Sequence, residues 1–206
     1  VDLNDDASRL LTASVEAEGG EVLTTLYMYS LNEKEPLAKQ LIAGEYPYKV
    51  SFTKNGGFML LTNLCLRVYD GKANLVSTLE FGEAGISNYH IGDKYFIRQY
   101  SISTLSAAVK VEVYSAADGS LVWESSYNEG TRLAKSCGDN VYIASGNEMT
   151  VVSLESGKEC TVQIEGETVD VLEIEEGKAL VISKGMASVL DYGALLIKEG
   201  EESWAQ

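Results

Sequence analysis

The sequence predicts an all-β fold, and three observations support this class. Glycine is frequent, with 19 residues among 206, whereas proline occurs only twice. β-Branched and aromatic residues alternate with polar residues over short runs, which is the pattern of half-buried strands. Windows of ten residues show little of the apolar periodicity that an amphipathic helix requires. We therefore expect antiparallel strands joined by short turns, with almost no helix.

A four-stranded unit repeats along the chain. Its clearest copy contains the strands YKVSF, FMLLT, CLRVY and LVSTL, with TKNGG and DGKAN as turns. Taking Asp6, Gly56, Asp93, Asp139 and Gly177 as equivalent turn positions gives intervals of 50, 37, 46 and 38 residues. Spacings of about forty residues suit four-stranded blades. The sequence therefore predicts a β-propeller-like fold of about five four-stranded antiparallel blades.

The five units are expected to form one domain, 1–206, with repeats at approximately 1–46, 47–84, 85–129, 130–167 and 168–200. In the last unit, GALLIK is the expected fourth strand. Five blades either close alone or belong to a longer ring. Because the first residue is Val and a strand pattern begins at once, we favour a longer ring with an upstream segment. An open ring exposes apolar faces at its ends, so we expect weak self-association through Val1–Leu11 and Ala194–Ile197.

The opening stretch VDLNDDAS resembles the start of a calcium-binding loop, with oxygen ligands at Asp2, Asn4 and Asp6. Such a loop needs glycine at its sixth position and an acidic residue at its twelfth. Those positions hold Ala7 and Ala13. We therefore interpret the stretch as a hairpin turn, in which short polar side chains bind backbone groups, and predict no metal site.

The net charge of −15 excludes two classes of partner. Nucleic acids and anionic membranes are bound by clustered Lys and Arg, and the sequence contains no such cluster. It also lacks a run of eighteen apolar residues and a basic leader followed by an apolar segment, so no membrane span is predicted within this chain.

The three cysteines form an odd set without the CxxC spacing of zinc or redox sites. We expect Cys65, Cys137 and Cys160 to be buried or unpaired thiols without a functional role. A single bridge between Cys137 and Cys160 is the alternative.

The segment DGSLVWES, in which a tight turn leads into a strand with Trp123, resembles the repeat of the WD40-like and quinoprotein-like β-propeller superfamily. The first unit, followed by YKVSF and LRVYD, is also similar to an uncharacterised Clostridia-type family. That resemblance implies a short cytoplasmic start, one membrane span upstream of this chain and an extracytoplasmic propeller at the surface of a Gram-positive-like bacterium. The shared motifs describe the fold, so they transfer no functional residue, and nothing in the sequence marks a quinone or other cofactor site.

Nothing in the sequence marks a catalytic site. His90 is the single histidine, and no GxSxG motif surrounds a nucleophile, so a Ser/His/Asp or Cys/His arrangement could only be built through this residue. We interpret His90 as a strand residue packed beside a hairpin. A hydrolase with acidic catalytic residues on the loop face stays the alternative function, because paired carboxylates cannot be recognised from sequence spacing.

Two connections between second and third strands are predicted to be long loops, at Ser14–Glu21 and Tyr100–Ala108. In a four-stranded blade, these loops and the connections between blades emerge on one face. Loops longer than the fold needs often carry recognition. The sequence therefore favours a binding or scaffold module that uses this loop face.

Aromatic residues are the candidate contacts on that face. Tyr46 and Tyr48 flank Pro47 in a connection between blades, and His90 and Tyr100 are expected nearby. Tyrosine offers both apolar area and a hydroxyl, so Tyr46, Tyr48, His90 and Tyr100 are predicted to bind a protein, peptide or glycan. Ordinary packing between blades is the alternative for these side chains.

Overall fold

A computed structural model describes residues 1–103, 107–127 and 131–198. It contains five antiparallel sheets in sequence order, each formed by consecutive strands, so the predicted all-β fold class is confirmed. Helical structure among the described residues is limited to the 3-10 turn Gly82–Ala84 and one short α-helix near the end. None of the helices in these ranges is long and apolar enough to cross a membrane.

The first two sheets each have four strands. The strands of the first sheet are β1 (Asp2–Leu3), β2 (Arg9–Glu18), β3 (Glu21–Ser30) and β4 (Pro36–Ala43). Those of the second sheet are β5 (Pro47–Phe52), β6 (Phe58–Thr62), β7 (Cys65–Tyr69) and β8 (Leu75–Glu80).

The third and fourth sheets also have four strands, and the fifth has three. The strands of the third sheet are β9 (Asn88–Ile91), β10 (Tyr95–Ser101), β11 (Val109–Ser115) and β12 (Leu121–Tyr127). Those of the fourth sheet are β13 (Thr131–Cys137), β14 (Asn140–Ser145), β15 (Glu148–Ser153) and β16 (Glu159–Gln163). The fifth sheet consists of β17 (Thr168–Glu175), β18 (Lys178–Ser183) and β19 (Met186–Asp191), and is followed by α1 (Gly193–Lys198).

The five predicted turn positions all lie between the first and second strands of their sheets. At the first of them, the side chain of Asp6 accepts a hydrogen bond from the backbone N–H of Ser8 (2.9 Å), and that of Asn4 accepts one from Arg9 (2.7 Å). The side-chain oxygens of Asn4 and Asp6 therefore bind the turn backbone, and that of Asp2 accepts hydrogen bonds from Ser51 and Phe52 on β5. In the part of the chain that the structure describes, no group of three or more His, Cys, Asp or Glu residues is placed to hold a metal ion.

The predicted loop at Ser14–Glu21 is wrong. The strands β2 and β3 continue through this stretch and pair from Arg9 opposite Ser30 to Glu18 opposite Glu21. Only Gly19 and Gly20 form the turn, and both have positive φ angles of 63° and 88°. Two residues with positive φ form the tight turn that matches the twist of an antiparallel hairpin, so the strands extend to their ends. The other predicted loop, at Tyr100–Ala108, falls partly outside the described residues.

The prediction of GALLIK as a fourth strand is also wrong, because these residues form α1. The backbone N–H groups of Tyr192 and Gly193 both donate to the carbonyl of Gly177 (2.9 Å each), which turns the chain away from β19. Leu195 and Leu196 then pack against the apolar cluster of the fourth and fifth sheets. Apolar burial and good helix formers together favour one helical turn over an edge strand.

The chain forms two compact units. The first contains residues 1–86 with 93–95 and 114–121, and its core joins the first and second sheets. Phe58 lies at the centre of this core, fully buried, and stacks on Tyr69 with ring centroids 4.7 Å apart. The second unit contains the remaining described residues, and in it β13 contacts both β9 and β17. A single domain and the repeat boundaries given above stay predictions.

The three cysteines are free thiols, so the alternative bridge between Cys137 and Cys160 is not formed. Cys65 and Cys160 are buried, whereas Cys137 is partly exposed. Burial raises the pKa of the Cys65 thiol to about 11, and only the thiolate form reacts quickly with alkylating reagents.

We expect iodoacetamide at about pH 8 to modify Cys137 first in the folded protein, because a thiol must be both accessible and deprotonated to react. Cys65 and Cys160 should react only after unfolding in denaturant. Mass spectrometry of the three cysteine-containing peptides measures each rate separately. Modification of Cys65 as fast as Cys137 in the folded protein would contradict this expectation.

Candidate functional site

The connection between β4 and β5 is fixed by a buried carboxylate. Glu45 is buried, and its Oε2 accepts hydrogen bonds from the hydroxyl of Thr62 (2.8 Å) and the thiol of Cys65 (3.3 Å). Its Oε1 binds the guanidinium of Arg67. The backbone carbonyl of Glu45 accepts a further hydrogen bond from the hydroxyl of Thr24 (2.6 Å). The connection is therefore held to three strands, β3, β6 and β7.

These contacts favour the charged forms of both Glu45 and Arg67. Burial by itself raises the pKa of Glu45, but the hydrogen bonds from Arg67, Thr62 and Cys65 outweigh it, so the pKa lies below its ordinary value. The hydrogen bond to Glu45 raises the pKa of Arg67 in turn. The ion pair is held by geometry as well as by charge, because both carboxylate oxygens of Glu45 accept hydrogen bonds from fixed donors.

The residues that follow Glu45 present two exposed rings. The backbone N–H of Tyr46 donates to the side chain of Asn63 (2.7 Å), and the N–H of Asn63 donates to the carbonyl of Tyr46 (3.0 Å). Tyr46 is 51% exposed and Tyr48 is 52% exposed. Tyr48 lies at a bulge, since Pro47 pairs with Thr62 and Lys49 with Leu61. Bulges redirect side chains. We call Tyr46 and Tyr48 the tyrosine platform.

The other two predicted binding residues lie in the second unit, on the third sheet. His90 pairs with Ile97, three residues before Tyr100 on β10, so His90 and Tyr100 lie on opposite faces of that sheet. The hydroxyl of Tyr100 donates to Glu112 (2.8 Å), and the guanidinium carbon of Arg98 lies 4.3 Å from the centre of its ring. The structure therefore does not bring His90 and Tyr100 together, and Tyr100 takes part in a network within its own sheet.

That network contains an ion pair that the sequence did not reveal. Arg98 on β10 is 5% exposed and Glu112 on β11 is 6% exposed, and their side chains are 3.3 Å apart. Lys110 lies 3.5 Å from the other oxygen of Glu112 and 2.9 Å from Glu124. The sequence by itself assigned no role to Glu112, which lies in the alternating strand VKVEVY. The sequence signal that was missed is the pair of opposite charges on neighbouring strands.

The second unit also has an acidic groove of about 630 Å³ between the fourth and fifth sheets and α1. The described residues that line it include four carboxylates and no Lys or Arg: Asp139, Glu155, Glu173 and Glu176.

Hydrogen bonds order one side of this groove. Glu173 accepts hydrogen bonds from the hydroxyl of Tyr192 and the amide of Asn140, both at 3.1 Å. The hydroxyls of Tyr192 and Tyr142 are 2.8 Å apart. Burial raises the pKa of Tyr192 to about 12, and it also raises that of Tyr142, so both phenols stay protonated. The groove therefore combines negative charge with neutral hydrogen-bonding groups.

Two solved structures resemble this chain over most of its length. Sqt1 of Saccharomyces cerevisiae is 10% identical with a TM-score of 0.55, and the match covers 88% of this chain and 58% of that one. Residues 644–1017 of HIRA are 11% identical with a TM-score of 0.53, and the match covers 80% and 55%. The likeness shows a β-propeller fold and no more. The chain spans little more than half the length of either structure.

No curated protein matches the chain. A family model described as a family of unknown function, DUF5711, matches residues 1–190. Because the match extends over nearly the whole sequence, the chain belongs to the DUF5711 family of proteins of unknown function.

Proposed function

We propose that the protein is a binding module that holds a protein or peptide partner on the tyrosine platform. The observation that carries this proposal is the exposure of Tyr46, on a connection fixed by the buried Glu45 and its ion pair with Arg67, and of Tyr48 at the start of β5. The β-propeller fold is compatible with many activities, so the proposal rests on the surface and not on the fold.

Two properties make this surface suitable for recognition. Tyrosine side chains supply a large contact area and a hydroxyl at a low cost in conformational entropy, and they are enriched among residues that dominate binding energy. Because hydrogen bonds with Asn63 hold the backbone of Tyr46, little ordering remains to be done when a partner binds. Preorganisation of this kind improves affinity by reducing the cost of association.

We expect the double variant Tyr46→Ala and Tyr48→Ala to bind a partner about 10 to 100 times more weakly, because truncating the two aromatic anchors together costs roughly 1.4 to 2.8 kcal/mol. The partner would be captured from an extract of the organism that produces this protein, identified and purified, and its affinity measured by calorimetry. Leu75→Ala is the matched control, since Leu75 is also exposed but lies on the edge strand β8.

Two results would contradict the proposal. One is a partner whose affinity is unchanged in the double variant. The other is a partner lost equally from the double variant and the Leu75→Ala control, since that would indicate general surface apolarity and not these two tyrosines.

A hydrolase is the second candidate function, favoured by the carboxylates around the acidic groove. Glycoside hydrolysis needs two carboxyl groups flanking the scissile bond. The purified protein can be assayed on a panel of nitrophenyl glycosides. Hydrolysis that Glu173→Gln abolishes, and that Glu148→Gln outside the groove leaves intact, would support an enzyme.

The extracytoplasmic location is also a proposal, supported by the resemblance to anchored bacterial propellers. Protease added to intact source cells should degrade the protein while a cytoplasmic marker survives. Protection of the protein until the cells are lysed would place it inside the cytoplasm.

A further inference from the structure

The first sheet has one apolar face that no other sheet of its unit covers. Leu3 on β1 lies opposite Leu10 on β2, which lies opposite Tyr29 on β3. Tyr27 is on the same face and stacks against Tyr29 with ring centroids 5.8 Å apart. Leu3 is 50% exposed. We call Leu3, Leu10, Tyr27 and Tyr29 the first free face.

The fifth sheet has a corresponding face. Leu172 on β17 lies opposite Leu180 on β18, which lies opposite Val189 on β19. Val189 is 58% exposed, and Leu172 is also exposed. Exposed apolar side chains in adjoining positions of neighbouring strands mark a contact surface more strongly than scattered ones do. We call Leu172, Leu180 and Val189 the fifth free face.

The opposite faces of the first and fifth sheets each pack against a neighbouring sheet. In the first unit, Leu11 and Met28 of the first sheet pack in one core with Val50 and Phe58 of the second sheet. In the second unit, Tyr142 and Met149 of the fourth sheet share a cluster with Val171 and Val181 of the fifth sheet. In both, a sheet meets the next one along the chain face to face.

The order of these contacts along the chain shows whether each free face would meet a preceding or a following sheet. The first sheet uses its other face to contact the sheet that follows it, so the first free face is the one that would meet a preceding sheet. The fifth sheet uses its other face to contact the sheet before it, so the fifth free face would meet a following sheet. Within each unit, one sheet packs face to face on the next sheet. The first and fifth free faces correspond to the two surfaces that meet in such a contact.

We propose that this chain associates head to tail, with the fifth free face of one copy packed on the first free face of a second copy. A second copy is a partner that necessarily carries the matching face. The contact continues the packing mode of the sheets within each unit. The sequence alone placed one contact at Val1–Leu11, which contains Leu3 and Leu10, and the other at Ala194–Ile197. Those last residues lie in α1, and the fifth free face takes their place.

Two physical properties of such a contact can be measured. It joins different surfaces, so a dimer held by one such contact leaves one of each face free, and further copies can add to it. Each copy carries a net charge of −15, so the copies repel one another, and salt should strengthen the apolar contact by screening that repulsion.

The test is sedimentation velocity of the full chain over a wide concentration range at about 50 mM and about 500 mM sodium chloride, where the screening length falls from above 10 Å to below 5 Å. We expect the average mass to rise with concentration, past that of a dimer, and to rise further at the higher salt concentration. Val189→Glu and Leu3→Glu each place a charge on one free face, and each variant should sediment as a monomer.

A mixture of the two variants is the decisive sample. Val189→Glu retains a working first free face and Leu3→Glu a working fifth free face, so the equimolar mixture should form a dimer and nothing larger. Val76→Glu is the control, because Val76 is similarly exposed but lies on β8 of the second sheet, outside both free faces, and it should associate like the original chain. Circular dichroism checks that every variant is folded.

Three results would overturn the proposal. The first is an original chain that is monomeric at all concentrations and at both salt concentrations. The second is a mixture of the two folded variants that stays monomeric. The third is a dimer that persists in Leu3→Glu alone, which would show the fifth free face pairing with itself.

Discussion

The substitution Glu112→Leu should lower the free energy of unfolding by about 3 to 5 kcal/mol, the usual cost of removing one partner of a buried ion pair. Arg98 is 5% exposed, so its guanidinium loses this carboxylate where water has little access to replace it. The hydroxyl of Tyr100 loses its acceptor on Glu112 as well. Urea denaturation followed by circular dichroism measures the change.

A double-mutant cycle separates the charge from the volume of the side chains. Replacing both Arg98 and Glu112 by Leu should cost less than Glu112→Leu alone, because no buried guanidinium is then left without the carboxylate of Glu112. Glu124→Leu is the matched control, since Glu124 binds Lys110 but is much more exposed, and it should cost less than about 1 kcal/mol. An effect of Glu112→Leu as small as that of the control would show that the buried pair contributes little.

The turns could be predicted from the sequence because their chemistry is local. At Asn4 and Asp6, short polar side chains bind the backbone of their own turn, and no distant residue is needed to explain them. The same holds for the all-β class, which follows from alternation over five or six residues. Recurrence of such turns at intervals of 37 to 50 residues was then sufficient to predict a repeat, which has four strands in four of the five sheets.

The two errors in secondary structure have causes that sequence patterns do not contain. The stretch Ser14–Glu21 includes two glycines and three acidic residues, a composition typical of loops, yet cross-strand pairing with β3 keeps it extended. GALLIK has the apolar content of a strand. It becomes a helix because hydrogen bonds to the carbonyl of Gly177 turn the chain at Tyr192 and Gly193, where the segment begins. Gly177 lies sixteen residues before Gly193 in the sequence.

The candidate site was predictable only in part, and the reason is burial. The sequence placed both Tyr46 and Tyr48 on a connection between sheets; Tyr46 lies there, whereas Tyr48 lies on β5, because the strand already begins at Pro47. The ion pair of the buried Glu45 with the partly buried Arg67 could not be recognised, because alternation identifies the two faces of β7 without telling which face a neighbouring sheet covers. For the same reason, the sequence did not show that Arg98 and Glu112 are buried.

Glu45→Ala should cost about 3 kcal/mol or more in the free energy of unfolding, because it leaves Arg67 without the carboxylate and removes the acceptor of Thr62 and Cys65. It should also loosen the connection that carries Tyr46. Hydrogen exchange of the backbone N–H of Tyr46, which donates to Asn63 in the folded protein, should become faster in this variant relative to amides in the core of its unit. Unchanged protection at Tyr46 would mean that Asn63 alone fixes the tyrosine platform.

The charge of Glu45 should also make stability depend on pH in a defined direction. Its pKa is lowered in the folded protein, whereas in the unfolded chain it returns to about 4.3, so the folded state favours the carboxylate. The resulting stabilisation is complete above the unfolded pKa and is lost as the pH falls through the lower folded value.

Glu45→Gln is the matched variant, since it keeps the size of the side chain but cannot titrate. The difference in unfolding free energy between the original protein and Glu45→Gln should therefore be constant from about pH 7 to about pH 6 and shrink steadily between about pH 5 and pH 3. A difference that keeps its full size at the lowest pH would mean that the charge of Glu45 does not stabilise the connection, and that hydrogen bonding and shape alone hold it in place.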